Sequence, residues 1–123
     1  MIMSAKIFLS VGQCDMDHGS ISRLLLGKLG VKVQRADTAI EALEALKKSS
    51  FSLLLVNRIF DADGDSGIDL IRKVQVIAPS QPVMLVSNYM DAQAEAQSLG
   101  AVPGFGKSAL DRPETLEVLK SFA

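Results

Sequence analysis

Two unbroken apolar stretches, Leu53-Leu54-Leu55-Val56 and Val83-Met84-Leu85-Val86, constrain this chain more than any other feature. A strand with one wet face alternates apolar and polar residues, so a run without a polar position belongs to a strand covered on both faces. Three further short runs accompany them: Ile7 to Val11, Val31 to Arg35 and a weaker one near Val102 to Phe105. The intervening segments have helical spacing. Asp17 to Leu29 places Ile21, Leu24, Leu25 and Leu29 on one face, with Asp17 or Ser20 as cap and Gly30 as stop. Thr38 to Lys48 opens on the capping box Thr-x-x-Glu. Ser66 to Ile77 carries Ile68, Leu70, Ile71 and Val74 on one side and ends before Pro79. Asp91 to Leu99 is Ala-rich and stops at Gly100, and Pro113 to Phe122 begins on proline and buries Leu116, Leu119 and Phe122. Strands and helices in this alternation form right-handed crossovers, giving an α/β doubly wound parallel sheet with helices on both faces.

The chain has 123 residues, the size of one domain, expected to span 1–123. Thirteen basic residues nearly balance fourteen acidic ones, so net charge makes no case for binding nucleic acid or an anionic membrane. Cys14 is the one cysteine and has no internal disulfide partner, and no zinc-type Cys/His spacing occurs. A reducing, cytoplasmic setting is expected. The start MIMSAKIFLSVGQCD is interrupted by Ser10, Gly12 and Gln13 well short of the ~18 apolar residues a membrane span needs. It reads as a first strand and not as a signal segment.

Ligand chemistry in such a sheet gathers at the carboxyl ends of the strands. Those ends carry Gly12, Gln13, Cys14 and Asp15 after the first strand, Asn57 and Arg58 after the third, Ser87 and Asn88 after the fourth, and Lys107 after the fifth. With the segments LLLVN, VMLVSN and GAVPGFGKS, this set resembles the receiver domain of bacterial two-component response regulators over essentially the whole chain. The resemblance implies a flavodoxin-like (βα)5 fold with strand order 2-1-3-4-5. It also implies a signalling role in a phosphorelay or related pathway, exercised through a protein partner. Contacts or homodimerisation would use the face of the fourth helix, fifth strand and fifth helix, where Tyr89, Met90, Ala92, Ala96, Val102, Phe105 and Leu110 lie.

The same resemblance implies a phospho-accepting Asp ending the third strand, an acidic pair after the first, a Thr or Ser after the fourth and a Lys after the fifth. The chain departs from that set. Asn57 stands at the acceptor position, and a neutral amide is a poor nucleophile that brings no charge to a metal. The acidic pair aligns with Gln13 and Cys14, or with Gly12 and Gln13 if the first strand is set one residue earlier, leaving Asp15 as the nearby carboxylate. A hard divalent cation needs several oxygen ligands, so no metal, cofactor or catalytic residue is expected. Ser87 and Lys107 keep the hydroxyl and ammonium. The usual fifth-strand aromatic falls on Gly104, the usual Pro after the Lys is Ser108, and the loop after the third strand is longer by about two residues. The expected protein is a non-phosphorylatable, non-enzymatic receiver-like module with a remnant pocket of Gln13, Cys14, Asp15, Ser87 and Lys107.

Other features have simpler readings. Asp61-x-Asp63-x-Asp65 copies the opening of a calcium loop, but the sixth position is Ser66 and the twelfth is Arg72. These residues are expected to cap the following helix. Lys107 is expected to pair with Asp15, because an unpaired ammonium in a partly buried pocket is costly. Cys14 is expected to pack as a small hydrophobe, and His18 to lie at the surface or cap a helix. Two alternatives stay open: an atypical receiver using Asp61 or Asp63 as acceptor or metal ligand, and a small-anion sensor at Ser87 and Lys107.

Overall fold

The computed structural model describes residues 6–123. Residues 1–5 of the start, read above as no signal segment, lie outside the described residues. Five parallel strands form one sheet in the order β2-β1-β3-β4-β5: β1 (Ile7–Val11), β2 (Lys32–Ala36), β3 (Leu53–Asn57), β4 (Val83–Val86) and β5 (Val102–Phe105). Between and after them run α1 (Asp15–Leu29), α2 (Ala39–Lys48), α3 (Gly67–Ile77), α4 (Met90–Ser98) and α5 (Pro113–Lys120). This is the doubly wound order that the resemblance implies. No helix among the described residues is long and apolar enough to cross a membrane.

Alternation along the strands sorts the core into two layers. Leu9, Val11, Leu54, Val56, Val83 and Leu85 pack with Ala42 of α2, Ile68, Leu70, Ile71 and Val74 of α3, and Ala96 of α4. On the other face, Phe8, Leu53, Leu55, Met84 and Val86 pack with Ile21 and Leu25 of α1 and Leu119 of α5. All residues of β3 and β4 are buried, which explains their lack of polar positions. Strand β2 is an edge, and its exposed Lys32, Gln34 and Arg35 give it the mixed composition of a strand wet on one side.

The helix ends show how the local sequence sets these elements. Thr38 Oγ1 accepts the Glu41 N–H at 3.2 Å, while the Glu41 carboxylate takes the Asp37 N–H at 2.9 Å, so the box reaches one residue further back than usual. Helix α1 begins at Asp15, not at Asp17 as expected, and neither Asp17 nor Ser20 caps it. Cys14 is the cap, its sulfur accepting the Asp17 N–H at 3.4 Å. At the other end Gly30 turns left-handed (φ 67°) and the Val31 N–H returns to the Leu25 carbonyl. Val31 thus closes α1, and β2 starts one residue later than its apolar pattern suggests.

The long loop between β3 and α3 is the most consequential irregularity. An antiparallel bridge joins Ile59 to Ser66, and the Phe60 N–H donates to the Asp65 carbonyl at 2.9 Å, pinching 60–65 into a compact turn. The pinch drives the Phe60 ring into the core above Gly12 until it is 1% exposed. Gly12 has φ 76°, and a Cβ there would collide with the ring. Phe60→Ala is therefore expected to lower unfolding free energy by about 3–5 kcal/mol. Denaturant titration checks this against Val76→Ser, a change on an exposed residue of α3, which should fall within about 0.5 kcal/mol of the unmodified protein.

Candidate functional site

A cleft of about 360 Å³ opens at the carboxyl ends of β1, β3, β4 and β5, lined by Cys14, Asn57, Arg58, Ile59, Asp61, Val86, Ser87, Asn88, Tyr89 and Lys107. Four positions singled out from the sequence, Cys14, Asn57, Ser87 and Lys107, meet here. Asp15 and Gln13 do not line it. Asp15 points toward β2, where its carboxylate bonds the Arg35 guanidinium at 2.6 Å while remaining 94% exposed. Gln13 is buried at 2% exposure, and its side-chain amide has no partner among the described residues.

Asn57 ends β3 and is buried. Its Nδ2 donates to the Gly12 carbonyl at 2.9 Å and to the Ile59 carbonyl at 2.7 Å, so both amide hydrogens are engaged. The Asp61 N–H donates to the same Gly12 oxygen at 3.0 Å. Gly67 follows from this crowding: its N–H donates to the Arg58 carbonyl at 2.7 Å, and a Cβ on it would strike the Asn57 carbonyl. The β1 end of the site is thus closed by backbone carbonyls and an aromatic ring. Where a cation would require converging carboxylates, the chain places an amide donor, a glycine and Phe60.

The cationic side is also neutralised, though not by the expected partner. Lys107 pairs with Asp17 at 2.7 Å, not with Asp15. The reason is the early start of α1: with the helix beginning at Asp15, Asp17 is carried to the β5 side and Asp15 to the β2 side. The Lys107 hydrogen bond, partly opposed by burial, holds the Asp17 carboxyl below the usual Asp value. Ser87 Oγ accepts the Tyr89 N–H at 3.1 Å. The Arg58 guanidinium lies 4.5 Å from the centroid of the Tyr89 ring, a cation–π contact joining two loops across the mouth of the cleft.

The acidic loop does not gather its carboxylates. Ser66 alone caps α3, accepting the Asp69 N–H at 3.2 Å, and Asp63 turns back on the Asp65 N–H at 3.0 Å. The expectation that Asp61 to Asp65 cap the helix is therefore corrected, because the Ile59–Ser66 bridge lifts them away from its first turn. No group of three or more His, Cys, Asp or Glu among the described residues has the geometry to hold a metal ion. Asp61 nonetheless lines the cleft that holds Ser87 and Lys107. Of the apolar residues assigned to the fourth-helix face, Ala96 is core and Ala92, Val102, Phe105 and Leu110 are partly buried against it. Tyr89 and Met90 stand out, 62% and 85% exposed, at the start of α4 beside the cleft.

No family model matches the chain. Over 91 residues, 72% of its length, it is 31% identical to the transcriptional regulatory protein ZraR of Klebsiella oxytoca, and the match spans 20% of that protein. Among solved structures, a putative response regulator from Chloroflexus aurantiacus superposes with a TM-score of 0.81 at 20% identity, covering 97% of this chain and 98% of the other. A response regulator from Thermotoga maritima gives 0.78 at 24% identity, with the same coverage. One from Burkholderia pseudomallei, with a phosphorylated aspartic acid, calcium ion and citrate, gives 0.70 at 23% identity, covering 96% of this chain and 73% of that one. The chain has the flavodoxin-like fold of response-regulator receiver domains, and it resembles them in sequence as well.

Asn57→Asp would aim a carboxylate at the carbonyl oxygens that Asn57 now satisfies. Unfolding at pH 7 should become easier by at least about 2 kcal/mol, and less so in acid, where a protonated carboxyl again donates one hydrogen. Equal stability at pH 7 would refute this arrangement. His18, near Arg35, is held below its ordinary value of 6.5 by burial and then by the Arg35 charge, against the opposing pull of Asp37 and Asp15. Because the folded protein then binds fewer protons than the unfolded one, His18 adds stability above pH 6.5 that is lost as pH falls through the lowered value. NMR titration should place its midpoint below 6.5, and His18→Gln should flatten the slope of stability between about pH 7 and 5.

Proposed function

We propose that this chain is one receiver-like domain that has given up aspartyl phosphorylation and works in a bacterial signalling pathway through contact with a protein partner. The carrying observation is Asn57, buried at the end of β3 with both amide hydrogens committed to backbone carbonyls. A nucleophilic carboxylate at this position would lose those bonds, and it would face no converging cluster of carboxylates among the described residues. The partner would meet Tyr89 and Met90 at the start of α4, and homodimerisation would use the adjoining α4-β5-α5 face. The near-balanced charge gives this domain no electrostatic basis for binding nucleic acid on its own, and the unpaired cysteine suits a cytoplasmic setting.

Asp61 supports a second reading, an atypical receiver with a displaced acceptor, because it shares the cleft with Ser87 and Lys107. Incubation with acetyl phosphate and Mg²⁺, followed by intact mass measurement, separates the two. The proposed function expects no phosphoryl adduct. A hydroxylamine-sensitive adduct on the unmodified protein that disappears in Asp61→Asn would establish the second reading instead.

A further inference from the structure

Strands β4 and β5 do not pair evenly. Met84 lies opposite Val102 and Val86 opposite Phe105, so two steps along β4 match three along β5 and the ladder carries a bulge. A bulge leaves backbone groups unpaired, and buried ones need partners. Here the partner is one side chain from α4. Gln93 Nε2 donates to the Leu85 carbonyl at 2.8 Å and to the Ser87 carbonyl at 3.1 Å, with the Phe105 carbonyl at 3.5 Å. Its Oε1 accepts the Gly104 N–H at 3.2 Å.

The surrounding residues leave room for this side chain. A Cβ at Gly104 would collide with the Leu85 carbonyl and press on Gln93 Oε1, and one at Gly106 would collide with the Asn88 side chain. Asn88 Oδ1 in turn accepts the Ser108 hydroxyl at 3.1 Å, tying the loop after β4 to the turn after β5. Both ends of one primary amide are thus spent on the backbone of two strand segments, β4 with its exit and β5, a geometry that a shorter, apolar or acceptor-only side chain cannot reproduce.

We propose that Gln93 is a clamp that fixes α4 on the bulged β4–β5 edge, so that the α4-β5 surface keeps one arrangement whatever occupies the carboxyl-end cleft. Movement of α4 would orphan the Leu85 carbonyl and Gly104 N–H together, so the clamp releases as a unit or not at all. This deepens the proposed function, since a domain without phosphorylation then offers a permanently formed surface. Its test nevertheless does not depend on whether any aspartate accepts a phosphoryl group.

Amide hydrogen exchange on the whole chain reads the clamp, using the unmodified protein, Gln93→Leu and Gln93→Glu. Gln93→Leu should exchange roughly tenfold faster or more at Gly104, whose N–H Gln93 accepts, and at Ser87, whose N–H donates to the Phe105 carbonyl across the clamped edge at 2.9 Å, with β1 and β3 unchanged. Gln93→Glu, whose carboxylate keeps an acceptor for Gly104 but repels the Leu85 and Ser87 carbonyls, should lose protection at Ser87 at neutral pH and regain it, relative to β3 in the same sample, as its carboxyl protonates in acid and becomes a donor. Unchanged protection in Gln93→Leu, or no recovery in Gln93→Glu, overturns the proposal. If Gln93→Leu loses β3 protection as well, relaxation dispersion on the unmodified protein decides. Flat profiles at Ser87 and Gly104 uphold the clamp, and microsecond-to-millisecond exchange there refutes it.

Discussion

One carbonyl oxygen, that of Gly12, organises the carboxyl end of this sheet. It accepts from the Asn57 side chain at the end of β3 and from the Asp61 backbone beyond it, joining β1, β3 and the long loop at a single atom. That convergence requires a left-handed glycine, brings Phe60 over it, and leaves no volume for a side chain at position 12. The loop then has to turn back within a few residues, which the Ile59–Ser66 bridge accomplishes and which delivers Ser66 to the start of α3 as its cap. Changing the amide to a carboxylate would set acceptor against acceptor at the junction, so the packing around position 57 is built for a donor.

Electrostatics divide the same end of the molecule into two separate groups of ion pairs. Arg35 holds Asp15 and Asp37 on the β2 side, and Lys107 holds Asp17 on the β5 side. Both of these cations are matched by carboxylates, and the cleft that Lys107 helps to line also carries Asn57, Asn88, Ser87, Asp61 and the Arg58–Tyr89 pair. Its lining therefore joins one paired ammonium to a guanidinium stacked on an aromatic ring. The proposed contact through the exposed Tyr89 and Met90 does not depend on charge, because aromatic and thioether surface gains from desolvation alone.

The architecture was legible because β3 and β4 lack polar positions and because helices with strong signals, such as α2 with its Thr38 box, declared their starts. The position of Asn57 at the end of β3 was legible for the same reason, as it ends a run whose place in the sheet was unambiguous. What its side chain does was not, because its partners are backbone oxygens, one of them forty-five residues away. Phe60 sat in an acidic loop without periodicity, and only the added loop length hinted that something there had to be buried. The Lys107 partner is Asp17 and not the expected Asp15 because Cys14, an unusual helix cap, starts α1 at Asp15 and so turns Asp17 toward β5 and Asp15 toward β2. Gln93 gave no signal at all, since a glutamine on an Ala-rich helix reads as solvated until a strand bulge is known to lie beneath it.

The account stands on the two hydrogen bonds of the Asn57 amide, and these are observable directly. In a sample labelled with nitrogen-15 and carbon-13, both Asn57 side-chain protons should exchange slowly, couple through the hydrogen bonds to the Gly12 and Ile59 carbonyl carbons, and keep their shifts when Mg²⁺ and beryllofluoride are added. Side-chain protons that exchange as freely as those of a surface asparagine, or that move on addition of Mg²⁺ and beryllofluoride, would show an open site and contradict it.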